Sequence, residues 1–456
     1  MKSAVKTPRW LGVDLVKNRW IFPLLGALAT ILGGATYAFS IFIRPLEAEF
    51  GWTRTETVSA FSVAMFAFGS VMWIGGFFVD KYGPRIPFAI GSILMVASQV
   101  LSSRINTVTE LIISFGIIGG IGIGLVYSSA TIAVSSRWFP EPEKRGLALG
   151  ASITGFGLGA IVAAPLWAQG IALYGWRTTY LLTGVVFALV LFVIGTILRF
   201  PPSDWKFVQG KGWQPLGNVT GESNVTEETN KKSAPQPAIQ STDLSFQSTD
   251  LSFAQAVRTP QLWVAGLMFL LCMIGGLMAV GQLAAFAGDA PPAGVGLAMA
   301  VAASLIMLQA LSNGAGRPIW GGISGKIGIR PAYLIVVSLM ALAMLVLSVT
   351  QTLPVLIIGV FLTGFAFGGT LALNPILSVA FFGPSFIARI YGLIFFLGFG
   401  FGGLLGPMIG GYIRSTTGSY SIAFLAAAGC AILALVVGFF FIPKPGEERL
   451  TVPASR

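Results

Sequence analysis

Asn313 and Arg317 stand four residues apart in the stretch Gln309-Ala-Leu-Ser-Asn-Gly-Ala-Gly-Arg-Pro318. Arg317 is the only charge in an apolar run from about residue 295 to 323. An i, i+4 spacing puts both side chains on one face of a helix. Together an amide and a guanidinium offer converging N–H donors and a fixed positive charge, a set suited to a carboxylate. An arginine in hydrocarbon costs at least about 2.5–3.5 kcal/mol on insertion scales, and it cannot escape by losing its proton. Snorkelling to the interface or pairing with backbone carbonyls is the competing account; for snorkelling, about 12 Å of helix separates Arg317 from Gly325 at a 1.5 Å rise per residue. No acidic residue lies in the apolar core of any other expected span to pair with it. The expectation is an anion held by Arg317 and oriented by Asn313 in the middle of a membrane.

The rest of the chain must supply that membrane setting. It is 55% hydrophobic and 10% charged over 456 residues, with 58 glycines and 35 phenylalanines, as helices packed face to face in lipid tend to be. The net charge of +11 is not gathered into a stripe, so nucleic acid is not implied. The basic residues fall between apolar runs. Cys272 and Cys430 give neither a disulfide framework nor metal-ligand spacing, and histidine is absent. No cofactor or metal is expected. Gly398-x-Gly400-x-x-Gly403 fits a dinucleotide fingerprint but lies inside an apolar run, where a close-packing face is the better reading. Gly325-Lys326 is followed by Ile327, so it forms no phosphate loop, and no catalytic elbow or intramembrane acid pair is present. An enzyme is not expected.

Apolar runs long enough to span a bilayer begin at Trp20 and continue to about Ile43. A signal peptide would have a shorter core and a cleavage site, so this run is read as an uncleaved helix. Further spans are expected at about 57–79, 86–103, 109–134, 146–170 and 178–198, then 261–287, 295–323, 331–350, 353–380, 390–413 and 420–442. The fold class expected is an all-α membrane protein of twelve spanning helices in two six-helix units, residues 1–199 and 259–456. Residues 200–258 join them with a polar, Pro/Ser/Thr/Gln-rich composition that cannot bury a core. This linker carries a tandem duplication, Ser241–Phe246 and Ser248–Phe253, and two formal glycosylation sequons at Asn218 and Asn224. A flexible tether is expected, its end able to form a short amphipathic helix. Asn374-Pro375 is expected to break the tenth helix as a hinge.

Orientation follows from the basic residues. With both termini cytoplasmic, Arg44, Arg54, Arg104, Arg177 and Arg414 fall outside and Arg317 in the membrane, and the other 22 of 28 Lys and Arg lie inside. Such a bias is a strong orientation signal, and it would leave the sequons in the cytoplasm, unused. The expected location is a prokaryotic cell (inner) membrane. The halves also repeat. Lys81-Tyr-Gly83-Pro-Arg85 matches Lys326-Ile-Gly328-Ile-Arg330, 245 residues on, and Gly155-Phe-Gly157-Leu-Gly159 matches Gly398-Phe-Gly400-Phe-Gly402, 243 residues on, as Gly175 matches Gly418. Parallel repeats place a substrate site between the halves, near the midplane.

Gly76-Phe-Phe-Val-Asp80-Lys81-Tyr-Gly83-Pro-Arg85 resembles the signature loop of the major facilitator superfamily. The resemblance extends over the whole chain through its twelve spans, central linker and half repeat. It implies that Gly76, Asp80, Lys81, Gly83 and Arg85 form a conformational latch, weaker in the second copy, where Gly325 stands at the Asp80 position. Arg137-Trp-Phe-Pro-Glu-Pro-Glu-Lys-Arg-Gly-Leu-Ala-Leu-Gly150, Tyr37-Ala-Phe-Ser-Ile-Phe, Phe50-Gly-Trp-Thr and Pro201-Pro-Ser-Asp-Trp are similar to monocarboxylate porters and oxalate/formate antiporter-like proteins. That group implies an anion site at Asn313 and Arg317. Tyr127 and Tyr37 are further candidate donors, with ordinary interhelix hydrogen bonding the rival reading, and Phe395, Phe396 and Gly398 occupy the expected facing region of the eleventh helix. The family's oxalate exchanger carries a second basic residue in that helix; here residues 390–413 have none. A dicarboxylate would leave its second charge in an apolar pocket at a cost of several kcal/mol. A small monocarboxylate (lactate, pyruvate, acetate or formate) carried by alternating access is expected, with a proton as its companion. The mid-membrane carboxylates and histidines that usually carry the proton are missing, and Asp80 and Asp289 lie near ends. Obligatory anion exchange and a non-transporting sensor on the same fold remain the rivals.

Overall fold

The computed structural model describes residues 9–10, 13–139, 142–201, 205–208, 212–215, 251–383 and 387–442. It is all-α apart from two short antiparallel strand pairs, Arg9–Trp10 with Val13–Asp14 and Trp205–Val208 with Gly212–Pro215. Eleven helices are long and apolar enough to cross a membrane. The longest, Pro142–Ile197, is two spans, because Gly175 at φ +77° turns the chain within it. The spans therefore number twelve among the described residues.

The first half contains α1 (Ile21–Gly34, a 3-10 turn Ala35–Ala38, then Ser40–Phe50), α2 (Arg54–Tyr82), α3 (Arg85–Ser102) and α4. The α4 span runs through Val108–Leu111, a π-helical stretch Ile112–Gly119 and Gly120–Ala130. Residues 142–174 are α5 and 176–197 are α6. The second half contains α7 (Pro260–Gly288), α8 (Met299–Ile327), α9 (Ile329–Ser348) and α10 (Leu353–Phe382). It closes with α11 (Ile387–Phe395, π-helical Phe396–Gly400, Phe401–Thr417) and α12 (Ser421–Phe441).

Two sequence expectations need correction. The first helix does not stop at Ile43: it carries Arg44, Glu47 and Glu49 on a continuing helix to Phe50, where Gly51 in the left-handed region ends it. Asn374-Pro375 does not break the tenth helix, which runs unbroken through Pro375. Membrane helices tolerate such prolines because neighbouring helices and polar side chains re-satisfy the freed backbone groups. Of the linker, Leu251 hydrogen-bonds the Phe382 carbonyl and Ser252 caps the short helix Phe253–Val257 with Gln255. The sequons and most of the tandem duplication lie outside the described residues.

The repeat extends to backbone geometry. Gly83 and Gly328, 245 residues apart, both take positive φ (+73° and +86°), which a side chain would resist. After each, an arginine ties the turn to the last helix of its own half: Arg85 donates to the Leu198 carbonyl and Arg330 to the Phe439 carbonyl, each at 2.8 Å.

Glycines set how closely the helices approach. On α11, Gly398, Gly402 and Gly406 face Phe269, Met273 and Ile274 of α7, while Gly400 and Gly403 face Gly69 and Met65 of α2. The seam that fixes α8 is made with α10. A Cβ on Gly316 would lie 2.6 Å from the Phe365 carbonyl, one on Gly364 would lie 2.5 Å from the Gln309 carbonyl, and one on Gly368 would meet the Asn313 carbonyl. Backbone cannot yield as a flexible side chain can. Overpacking typically costs about 1–3 kcal/mol, so Gly368→Val is expected to lower thermal stability in detergent and to raise the substrate KM by displacing Asn313. Fluorescence-detected size-exclusion after heating checks the first effect, and parental melting with parental KM would refute both.

Candidate functional site

The Arg317 side chain is half-buried on α8 and turns back along its own helix. Its Nε–H donates to Asn313 Oδ1 at 3.2 Å, and an Nη1–H donates to the Ile153 carbonyl of α5 at 3.1 Å. One turn further along α5, a Cβ on Gly157 would be 3.4 Å from the guanidinium carbon, so the glycine leaves a flat surface for the guanidinium. The Nη2 donors have no acceptor among the described residues. Asn313 is buried. A residue of the second half is thus fastened to the backbone of the first at the seam between them, with donor capacity to spare.

Aromatic rings from five helices surround this point. Tyr37 (α1), Tyr127 (α4) and Tyr391 (α11) all lie within electrostatic reach of Arg317. Tyr37 meets Phe156 of α5 edge-on at 5.1 Å, and Tyr127 meets it at 5.6 Å. Phe68 of α2 stacks on Phe156 at 5.2 Å and meets Phe395 and Phe399 of α11 at 5.8 and 5.5 Å. Tyr391 contacts Phe395 at 5.9 Å. The rings form one wall beside the guanidinium, and aromatic pairs of this kind are worth about 0.5–1.5 kcal/mol beyond their burial. Such a wall covers an apolar ligand body and excludes water, which strengthens charge-assisted hydrogen bonds.

The structure gathers Arg317, Asn313, Tyr37, Tyr127 and Phe395 into this one region. Phe396 and Gly398 sit elsewhere: Phe396 stacks on Trp73 and meets Phe66, and Gly398 lies against Phe269. Their contacts are those of helix packing. Phe68, Phe156 and Tyr391 were not singled out from the sequence. Phe156 lies within the Gly155-Phe-Gly157 landmark and Tyr391 lies four residues before Phe395, so spacing carried a signal for both. Of the latch residues, Gly83 makes its turn, Arg85 its carbonyl contact, and Lys81 lies 5.1 Å from the Tyr82 ring. Gly76 and Asp80 lie in the helical backbone of α2, and the Asp80 side chain is outside the described residues.

A second polar constellation joins the halves at the end where α1 meets α2. Asp289, which ends α7, takes Arg54 Nη2 at 3.2 Å and Arg414 Nη2 at 3.1 Å, with Arg44 at 4.0 Å. Arg54 also holds Glu47 at 2.5 Å and the Tyr420 hydroxyl. Arg44, Glu47 and Arg54 belong to the first half; Asp289, Arg414 and Tyr420 belong to the second.

A seam between two related six-helix halves, with a cationic side chain set in it, defines a membrane transport protein by architecture. The Major Facilitator Superfamily model matches residues 24–306 and 292–456, and the chain belongs to that family. The oxalate:formate antiporter of Oxalobacter formigenes is 27% identical over 442 residues, covering 96% of this chain and 94% of that protein. Monocarboxylate transporter 13 of Rattus norvegicus is 27% identical over 427 residues, covering 90% of this chain and 87% of that one. A bacterial homologue of the human lysosomal transporter Spinster, in an inward-facing and unoccupied conformation, superposes with a TM-score of 0.66 at 14% identity. It spans 92% of this chain and 96% of its own. The protein is a multi-pass, non-enzymatic transporter.

Proposed function

We propose that the protein is a secondary active transporter of a small monocarboxylate, working by alternating access. The substrate carboxylate sits on the spare Nη2 donors of Arg317, Asn313 orients the guanidinium, and the wall of Tyr37, Tyr127, Phe68, Phe156 and Phe395 covers the apolar body. The observation that carries this reading is Arg317 itself, half-buried at the seam of the halves with unused donors. The absence of Lys and Arg between residues 390 and 413 favours one carboxylate over two. The basic-residue bias supports cytoplasmic termini in a prokaryotic inner membrane, with residues 1–199 and 259–456 as the moving units and 200–258 as a cytoplasmic linker. In that orientation the Asp289 constellation clasps the outer end, and the turns at Gly83 and Gly328 lie inside.

A proton travels with the anion in this reading, entering as substrate carboxylic acid or bound water. Exchange is the second reading, and one observation favours it. The guanidinium is fastened across the seam to the Ile153 carbonyl, a bond that must break before the halves can rock and that a carboxylate on Nη2 weakens by drawing on the same charge. Purified protein in liposomes with labelled lactate, pyruvate, acetate, formate and oxalate separates the two. Accumulation driven by external acid in vesicles without internal substrate indicates symport, and uptake only into preloaded vesicles indicates exchange. Saturable binding without counterflow makes the protein a sensor, and oxalate as sole substrate overturns the monocarboxylate assignment.

A further inference from the structure

One turn before Asn313, on the same face of α8, stands Gln309, which takes no part in the arrangement described above. It is 4% exposed, and its Nε2 makes no hydrogen bond among the described residues. Tyr37 of α1 is equally buried, and its hydroxyl likewise has no partner among the described residues. Both line one cavity of about 10 Å³, with Asn313 at one side and Ala160, Val280 and Ile306 among its apolar walls. Buried polar groups almost always find a partner. Two that lack one, around a space just large enough for a single water-sized group, mark a seat for an oxygen atom the chain does not supply.

The seat is placed relative to Arg317. The guanidinium reaches back to Asn313, and Gln309 lies about 6 Å further along the helix at a 1.5 Å rise per residue. Asn313, which holds the guanidinium, also lines the cavity, so a substrate atom bonded close to the carboxylate is the one placed to enter it. Resting on the carboxylate assignment to Arg317, we propose that this cavity receives the 2-hydroxyl or 2-oxo oxygen of the substrate. Gln309 is then the residue that selects 2-hydroxy and 2-oxo monocarboxylates over unsubstituted acids of equal length. The Gln309 amide donates to that oxygen. The Tyr37 hydroxyl donates to an oxo group or accepts from a hydroxyl. An unsubstituted acid leaves both groups unpaired, and sites built to hydrogen-bond a substrate oxygen discriminate strongly against analogues lacking it. A second carboxylate finds apolar walls and no cation there.

Lactate and propionate differ only in the 2-hydroxyl, so the ratio of their transport efficiencies (Vmax/KM) in proteoliposomes reads the seat directly. The parent is expected to favour lactate by about tenfold or more, and Gln309→Met and Tyr37→Phe each to cut that ratio at least about fivefold. Tyr37→Phe removes one oxygen without changing shape and carries the test if Gln309→Met fails to fold. A parent that moves both acids equally, or variants that slow both in proportion, would overturn the seat and leave the Arg317 assignment standing. A parent that moves no monocarboxylate would overturn both.

Discussion

Arg317→Gln is expected to abolish saturable uptake. The substitution keeps an amide donor on a shorter side chain but removes the charge, the fork and the bond to Ile153 that closes the seam. Removing one partner of a buried charge pair typically costs about 3–5 kcal/mol, and half-burial of Arg317 puts the loss at the lower end, on the order of 10²-fold in Vmax/KM. Arg317→Lys is the sharper variant. It keeps the charge but cannot hold Asn313, Ile153 and a carboxylate at once from a planar fork, so KM should rise about tenfold while some transport survives. Labelled-substrate uptake in proteoliposomes, with size-exclusion profiles as a folding control, checks both. Parental transport by Arg317→Gln would make the arginine a brace between α5 and α8, and the proposed function would fall with it.

Asp289→Asn is expected to loosen the end of the bundle where α1 meets α2. The carboxylate joins Arg54 from the first half to Arg414 from the second, with the Asp289 and Arg54 side chains only 9% and 6% exposed. A fully buried pair would cost about 3–5 kcal/mol to break. Here Arg54 keeps Glu47, and the Arg414 and Arg44 side chains are 25% and 44% exposed, so solvent screening reduces the effect to about 1–2 kcal/mol, roughly tenfold in the open population. Ser40 reports on it. Its hydroxyl accepts from the Ala284 N–H across the seam at 3.3 Å, and it is buried there. A membrane-impermeant thiol reagent should label Ser40→Cys about tenfold faster once Asp289→Asn is added. Asp289→Glu should restore slow labelling. An unchanged rate would mean that the constellation does not hold the halves together.

The spans were legible because apolar length is a property of composition, and the repeat because turns such as Gly83 and Gly328 need the same residue for the same backbone. Asn313 and Arg317 announced themselves as polar groups where polar groups are costly. Backbone carbonyls could be weighed as partners of Arg317, but which one could not: it is that of Ile153, and a backbone acceptor has no signature in residue type. Phe68 and Phe156 were hidden among 35 phenylalanines, since only the fold decides which rings face the seam. For the same reason Phe396, next to Phe395, drew the same expectation although it faces Trp73. Asp289 read as a helix-end residue because its partners lie 235 and 125 positions away.

The glycine turns permit a last comparison. Gly51 and Gly83 flank α2, Gly296 and Gly328 flank α8, all four take positive φ, and each pair is offset by 245 residues. The two helices are therefore in register with no insertion between them. At that offset Asn313 corresponds to Phe68, and Arg317 to Met72. The same face of the repeated helix thus differs between the copies: one carries the polar head of the proposed site, the other part of its apolar wall. With that division of labour, a six-helix half expressed alone would carry only one side of the proposed site.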